Sequence, residues 1–238
     1  MKIALVDTRM PKEAQNRLSA LGYYVISMPP DKRLSAPVAS HPDMLVFYHN
    51  TTLIASADYC EEHPFVFEDI SRFSKNIKII FTEDKIAESY PHDAKFNAAV
   101  IGNKIFYKED SVSESITGYA KATGLAAYHT KQGYPACTTL PLSDSAAISA
   151  DRGIAETMSA AGIEVTLIEN GDISLPPYEY GFIGGASGKD GKRLFFIGDV
   201  SRHRSKEKII SEAEANGLEI ISLYSGELLD LGRIIFIE

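Results

Sequence analysis

The sequence predicts an α/β fold: five ββαβ repeats set in a ring, with the N- and C-terminal strands completing one repeat between them. Two observations carry this. Helix stop signals followed at once by apolar strands recur 38 to 55 residues apart: Gly22 before YYVIS, Asn76 before IKIIF, Gly124 before LAAYH, Gly162 before IEVTLI and Gly217 before LEIISL. Upstream of each helix lies a pair of short apolar segments, and the fifth pair is split, RIIFIE at the C-terminal end and KIALVD at the N-terminal end. Pairing those two segments leaves no open sheet edge there. The repeats share out residues 1–238 as a single domain. A doubly wound sheet would supply roughly one strand per helix, whereas this chain supplies about three.

The elements follow in order. Helices are expected over 11–21, 61–75, 111–123, 152–161 and 205–216, each ended by Gly, or by Asn76, in the left-handed position after its last turn. Ala14, Leu18 and Leu21 share a face of the first helix, and Ile209, Ile210 and Ala213 share a face of the last. Ser111 and Glu114 have capping-box spacing. Pro64 falls in the first turn of the second helix. The complete strand pairs read MLVFYH with TTLIAS, AAVIG with KIFYK, TTLPL with AAISA, and YGFIGG with RLFFIG.

Composition narrows the function. The chain is 45% hydrophobic and 24% charged, in the ordinary globular range. No apolar run approaches a membrane span, and Met1–Asp7 lacks the pattern of a secretion signal. Two cysteines, Cys60 and Cys137, are read as reduced thiols of a cytoplasmic protein. A net charge of −8 argues against nucleic acid and leaves carboxylates free for a cationic ligand. The oligomeric state is not legible. Gly184–Lys189 looks like a phosphate loop, but Ile183 and Asp190 stand where a P-loop needs Gly and Ser or Thr, so it reads as a turn that lets backbone approach the ring centre. The histidines and cysteines lack metal-ligand spacing, and neither metal nor cofactor is expected.

In a ring of such repeats the inner strands converge, so polar residues at their ends face one channel. His41-Pro42-Asp43 leads into MLVFY, and Gly133-Tyr134-Pro135-Ala136-Cys137 leads into TTLPL. Asp199 follows RLFFIG, and Glu227 and Asp230 precede RIIFI. Each alone reads as a turn or core residue. Together they place a thiol, an imidazole and several carboxylates at equivalent points of four repeats. The inner strand of the remaining repeat begins near Asn97 without a titratable group.

This pattern resembles the pentein fold of the guanidino-group-modifying enzymes: arginine and agmatine deiminases, dimethylarginine dimethylaminohydrolase and amidinotransferases. Those enzymes carry an Asp at an F-x-R-D-like strand end, an E/D-G-G-D segment, an H-x-D segment and a late G-G-x-x-C. Here the similar stretches are Phe196-Ile197-Gly198-Asp199, Asp230-Leu231-Gly232-Arg233, His41-Pro42-Asp43 and Gly133–Cys137, in the same cyclic order but begun at a different repeat, as circular permutation would give. The acidic segment lacks one glycine and its second acid, with Arg233 in that place, and its register is open between Glu227 and Asp230.

The resemblance implies a five-bladed α/β propeller and a hydrolase or amidinotransferase acting on C–N bonds of a small cationic guanidino substrate. Cys137 is expected as nucleophile and His41 as acid and base. Asp43, Asp199 and Asp230, with Glu227, would hold the guanidinium, and Arg9 would pair with a substrate carboxylate. The alternative is a non-catalytic pentein that works by binding, similar to the ribosome anti-association factor.

Overall fold

Residues 2–238 are described by the computed structural model, in which the repeats become five three-stranded sheets of one design. Strand β1 (Ile3–Asp7) passes through helix α1 (Lys12–Ala20) to β2 (Tyr24–Met28), which lies parallel to it. A one-turn helix, α2 (Pro42–Leu45), then leads into β3 (Val46–His49), antiparallel to β4 (Thr52–Ser56). Helices α3 (Ala57–Glu62) and α4 (Pro64–Phe73) return the chain to β5 (Lys78–Thr82), parallel to β4. The third sheet repeats this with β6 (Ala99–Ile101), β7 (Lys104–Tyr107), α5 (Glu114–Thr123) and β8 (Ala126–His129).

The fourth opens with another one-turn helix, α6 (Pro135–Thr138). It continues through β9 (Thr139–Pro141), β10 (Ala146–Ser149), α7 (Arg152–Ala160) and β11 (Glu164–Leu167). After β12 (Ile173–Ser174), the fifth consists of β13 (Ser187–Asp190), β14 (Arg193–Phe196), α8 (Lys206–Ala215) and β15 (Glu219–Ser222). Strand β16 (Leu228–Leu229) pairs with β12, and β17 (Ile235–Ile237) pairs antiparallel with β1, setting Ile237 opposite Ile3. The two ends of the chain thus complete the first sheet, as the split apolar pair predicts.

Burial explains the sequence pattern. The middle strands β1, β4 and β10 are buried along their whole length, which is why they read as unbroken apolar runs rather than alternating ones. The third strands β5, β8 and β11 are largely exposed edges. Apolar cores form between neighbouring sheets: Ala4, Val6 and Leu18 pack with Phe195, Ile197 and Leu223, and Ala99 and Phe106 pack with Ile154 and Met158. No helix among the described residues is long and apolar enough to cross a membrane.

Four local expectations are corrected. The helix expected over 61–75 is two helices broken at His63 (φ −133°, ψ 53°), because Pro64 disfavours helical backbone in the residue before it. Asn76 is not among the residues with positive φ; α4 stops at Ser74, whose backbone is extended. The cap of α5 is Ser113, which accepts from Ser115 N, rather than Ser111. The inner strand of the fifth sheet is Ser187–Asp190 and not YGFIGG. Its polar composition hid it: Asp190 binds Lys2 Nζ at 2.6 Å and Tyr23 Oη at 2.5 Å, tying β13 to the N-terminal strand.

The starts of the inner strands are bonded one to the next. Asp43 N donates to Gly232 O (3.2 Å), Asn97 Nδ2 to Asp43 O (3.4 Å) and Ala136 N to Asn97 Oδ1 (2.8 Å). Gly185 N donates to Cys137 O (2.9 Å), and Gly185 O accepts from Leu231 N and Arg233 N (3.1 and 2.8 Å). The sequence of bonds begins and ends on the segment that leads into β17.

Candidate active site

Proline fixes two of the key side chains. Pro42 and Pro135 each occupy the first turn of a one-turn helix, where a missing N–H costs nothing. One residue after Pro42 comes Asp43, and two after Pro135 comes Cys137. Both are buried, and Cys137 Sγ donates to Asp43 Oδ2 at 2.8 Å. Asn97 Nδ2 lies 3.1 Å from the same sulfur. The other oxygen of Asp43, Oδ1, is buried and has no partner, so it stands ready for a donor.

His41 and Asp230 complete the cluster, each 1% exposed. Neither ring nitrogen of His41 has a hydrogen-bond partner. Nε2 lies 3.9 Å from Asp7 Oδ2, and Nδ1 lies 4.0 Å from Asp230 Oδ1. Asp230 is held by backbone, accepting from Phe182 N at 2.8 Å and Gly232 N at 3.2 Å. Two glycines make this packing possible. A Cβ on Gly185 would meet Asp230 Oδ1 at 1.9 Å; one on Gly232, whose φ is +69°, would meet His41 Cβ at 2.2 Å.

Burial sets the protonation states. Desolvation raises Asp43 to about 6. It raises Asp230 to about 7, with the neighbouring Asp43 charge adding to the rise. The Cys137 thiol is pushed well above its usual value, first by burial and then by the charges of Asp43 and Asp230. His41 is lowered to about 3 by burial and by the Arg9 charge, so its imidazole rests neutral. The resting cluster therefore holds a protonated thiol beside carboxyl groups that an incoming cation would drive to carboxylates.

His41, Cys137 and Asp230 line a cavity of about 380 Å³, together with Asp93, Tyr134, Phe182 and Glu179. Asp43 reaches that cavity through its bond to the thiol. The remaining expected residues lie elsewhere. Asp199 caps the turn Val200–Arg202 by accepting from Ser201 N at 2.9 Å, its own N–H binds Gly226 O, and it is not among the residues lining the cavity. Glu227 is exposed, so of the two acids left open by the sequence it is Asp230 that joins the cluster. Arg9 is not among the residues lining the cavity; its guanidinium grips Asp7 through two nitrogens and also bonds Pro37 O at 2.8 Å.

Sequence reasoning passed over Asn97, Asp7 and Asp93. Asn97 was visible as the one inner-strand start without a titratable group, and an amide is enough to orient a thiol. Asp7 belongs to an Asp-x-Arg turn that recurs at Asp31-Lys32-Arg33 with the same side-chain fork. Nothing local marked Asp93.

No curated protein matches the chain. Among solved structures, a dimethylarginine dimethylaminohydrolase from Pseudomonas aeruginosa complexed with citrulline is similar to it, at 12% identity and a TM-score of 0.56 over 93% of this chain and 90% of that one. An amidinotransferase of the saxitoxin pathway from Microseira wollei gives 12% and 0.55 over 92% and 87%. The N-terminal domain of a cyanobacterial arginine dihydrolase, bound to its substrate, gives 10% and 0.55 over 93% and 91%. All three are pentein-fold guanidino-modifying enzymes, and the likeness establishes that mixed α/β fold for this chain. Residues 5–235 match the profile of a family described as a family of unknown function (DUF6873), and over that span, nearly its whole length, the chain belongs to this family.

Proposed function

We propose that this protein modifies a guanidino group, with Cys137 as nucleophile, and that its five sheets form a single five-bladed propeller that is circularly permuted relative to the enzymes it resembles. The observation that carries the reading is the 2.8 Å contact of the Cys137 thiol with Asp43, in a cavity that also holds His41 and Asp230. The cycle of bonds among the inner-strand starts and the pairing of β17 with β1 support the propeller. A cytoplasmic location fits the two free cysteines.

A guanidinium is planar and cationic, and carboxylates bind it through paired, charge-assisted hydrogen bonds. Asp43, through its unpartnered Oδ1, and Asp230 form the clamp; Asp199, Glu227 and Arg9 are left outside it. Substrate binding supplies the positive charge that the resting thiol lacks. The thiol proton, which points to Asp43 Oδ2 at rest, is then taken up by His41, flanked by Asp7 and Asp230, as the bond to Asp43 breaks and Sγ bonds to the guanidino carbon. The C–N bond breaks as His41 returns that proton to the departing amine. Water, or a second amine, then gives a proton to His41 and displaces the thiolate from the covalent intermediate.

The test is alkylation by chloroacetamidine, a cation of guanidinium shape, followed by mass spectrometry. The expected adduct sits on Cys137, is suppressed by a guanidinium ligand, and forms more slowly in Asp43→Asn. Faster labelling of Cys60 than of Cys137 under all conditions would sink the proposal. A protein that binds guanidinium ligands but never turns them over would favour a purely binding role.

A further inference from the structure

The walls of the cavity go further than its floor. Besides Asp230, the cavity is lined by Asp93 and Glu179, and neither Lys nor Arg is among its lining residues. A substrate carboxylate placed there would face several acids and no cation. In a half-enclosed site of low effective dielectric, such repulsion lowers affinity by more than about tenfold. Arg9, the residue that the sequence suggested for a carboxylate, already has its fork closed on Asp7.

Asp93 supplies the complementary observation. Its side chain is only 6% exposed, and Oδ2 accepts from Tyr134 Oη at 2.7 Å. Oδ1 is buried without any partner. An orphaned carboxylate oxygen in a cavity wall needs a donor, and a ligand cation is the donor that a cavity of acids selects. Tyr134, Tyr178, Phe182 and Leu175 supply apolar and aromatic cover suited to an alkyl chain and to an ammonium over a ring face.

We propose that the substrate is an ω-guanidinoalkylamine: a guanidinium for the Cys137 cluster, an apolar linker, a second cation for Asp93 assisted by Glu179, and no carboxylate. This rests on the guanidino reading above and narrows it to one substrate class.

Binding to the Cys137→Ala protein by calorimetry separates the two. Three probes share the guanidinium: agmatine with a second cation, butylguanidine without one, and arginine with an added carboxylate. Agmatine is expected to bind at least about tenfold tighter than butylguanidine, the gain of one charge-assisted bond, and arginine more weakly than agmatine by at least as much. Adding Asp93→Asn should remove the advantage of agmatine and leave butylguanidine unchanged. Glu179→Gln, at an exposed position that tolerates change, should reduce the advantage in part. Arginine equal to or tighter than agmatine, or equal losses for agmatine and butylguanidine in Asp93→Asn, would overturn the substrate class while leaving the guanidino reading intact. Failure of all three probes to bind would overturn both.

Discussion

Two cavities lie on either side of the bond between Cys137 and Asp43 and differ in sign. The one that holds Cys137 is walled by Asp93, Glu179 and Asp230. The other, about 230 Å³, is lined by Asp43, Lys189 and Arg233, with Phe47, Tyr48 and His49 around them. They meet at the hydrogen bond from Cys137 to Asp43. The cations of this region therefore stand on the far side of Asp43 from the acidic cavity. Arg233 opposes the rise of the Asp43 pKa without occupying the place of a substrate. A protein built to keep a thiolate at rest would set that charge beside the sulfur in the same cavity. Here the acidic cavity is left for a cation from solution.

The largest expected effects come from breaking the acidic side. Cys137→Ala should lower turnover of a guanidino substrate by about 10³-fold or more, as loss of a covalent nucleophile does, while leaving binding intact. Gly185→Ala tests the packing behind it. Its Cβ would lie 1.9 Å from Asp230 Oδ1, so Asp230 or the backbone must move. We expect a loss of about 3–5 kcal/mol in chemical denaturation. A well-folded Gly185→Ala protein with an unchanged melting curve would mean that Asp230 is not pinned as described.

How much of this was legible beforehand differs between the fold and the site. The repeat was readable because buried middle strands must be apolar runs and because glycine marks the helix ends: Gly22, Gly124, Gly162 and Gly217 all have positive φ. Strand β13 was not, since its polar residues are satisfied by Lys2 and Tyr23, which are 188 and 167 residues away in the chain. The same divide runs through the cluster. Cys137, His41, Asp43 and Asp230 carry chemistry in their residue types and precede inner strands. Asp93 and Asn97 acquire a role only from which side chains surround them. Asp199 has the right type and a plausible motif, yet local backbone geometry makes it a cap.

Asp43 links the two cavities, so its neutralisation should change stability and activity in opposite directions. Its pKa in the folded protein, about 6, lies above the ordinary 3.8 because burial penalises the charge. The folded state then binds more protons than the unfolded one between about pH 4 and 6, so this group's contribution falls as pH rises through that window. Asp43→Asn should be more stable to unfolding than the parent at pH 8, by on the order of 2–3 kcal/mol, with the gap closing toward pH 4. Ligand affinity should respond in the other direction. A guanidinium needs Asp43 and Asp230 charged, so its binding should strengthen from pH 5 to about pH 7, with protons released on binding. Calorimetry in buffers of different ionisation enthalpy reads both quantities.

Arg233 gives the smallest effect and the sharpest test of the opposed cavities. Its backbone is in the left-handed region at φ +57°, and Leu, Met or Lys there would bear the same strain, so Arg233→Met changes charge more than backbone. Removing the guanidinium takes a positive charge from behind Asp43 and Cys137, both of which should then hold their protons to higher pH. The pH profile of Cys137 alkylation should move upward by about 0.5–1 unit, with up to about tenfold slower labelling on its rising limb. Lys189→Met, in the same cavity, should leave the profile within about 0.3 unit of the parent, because Lys189 is only half-buried and, among the described residues, no hydrogen bond or ion pair joins it to Asp43 or Cys137, so solvent screens its charge. Equal shifts in the two variants would mean that the second cavity acts on the thiol through its overall charge. A shift confined to Arg233→Met would fix this one residue as the electrostatic link between the two sides.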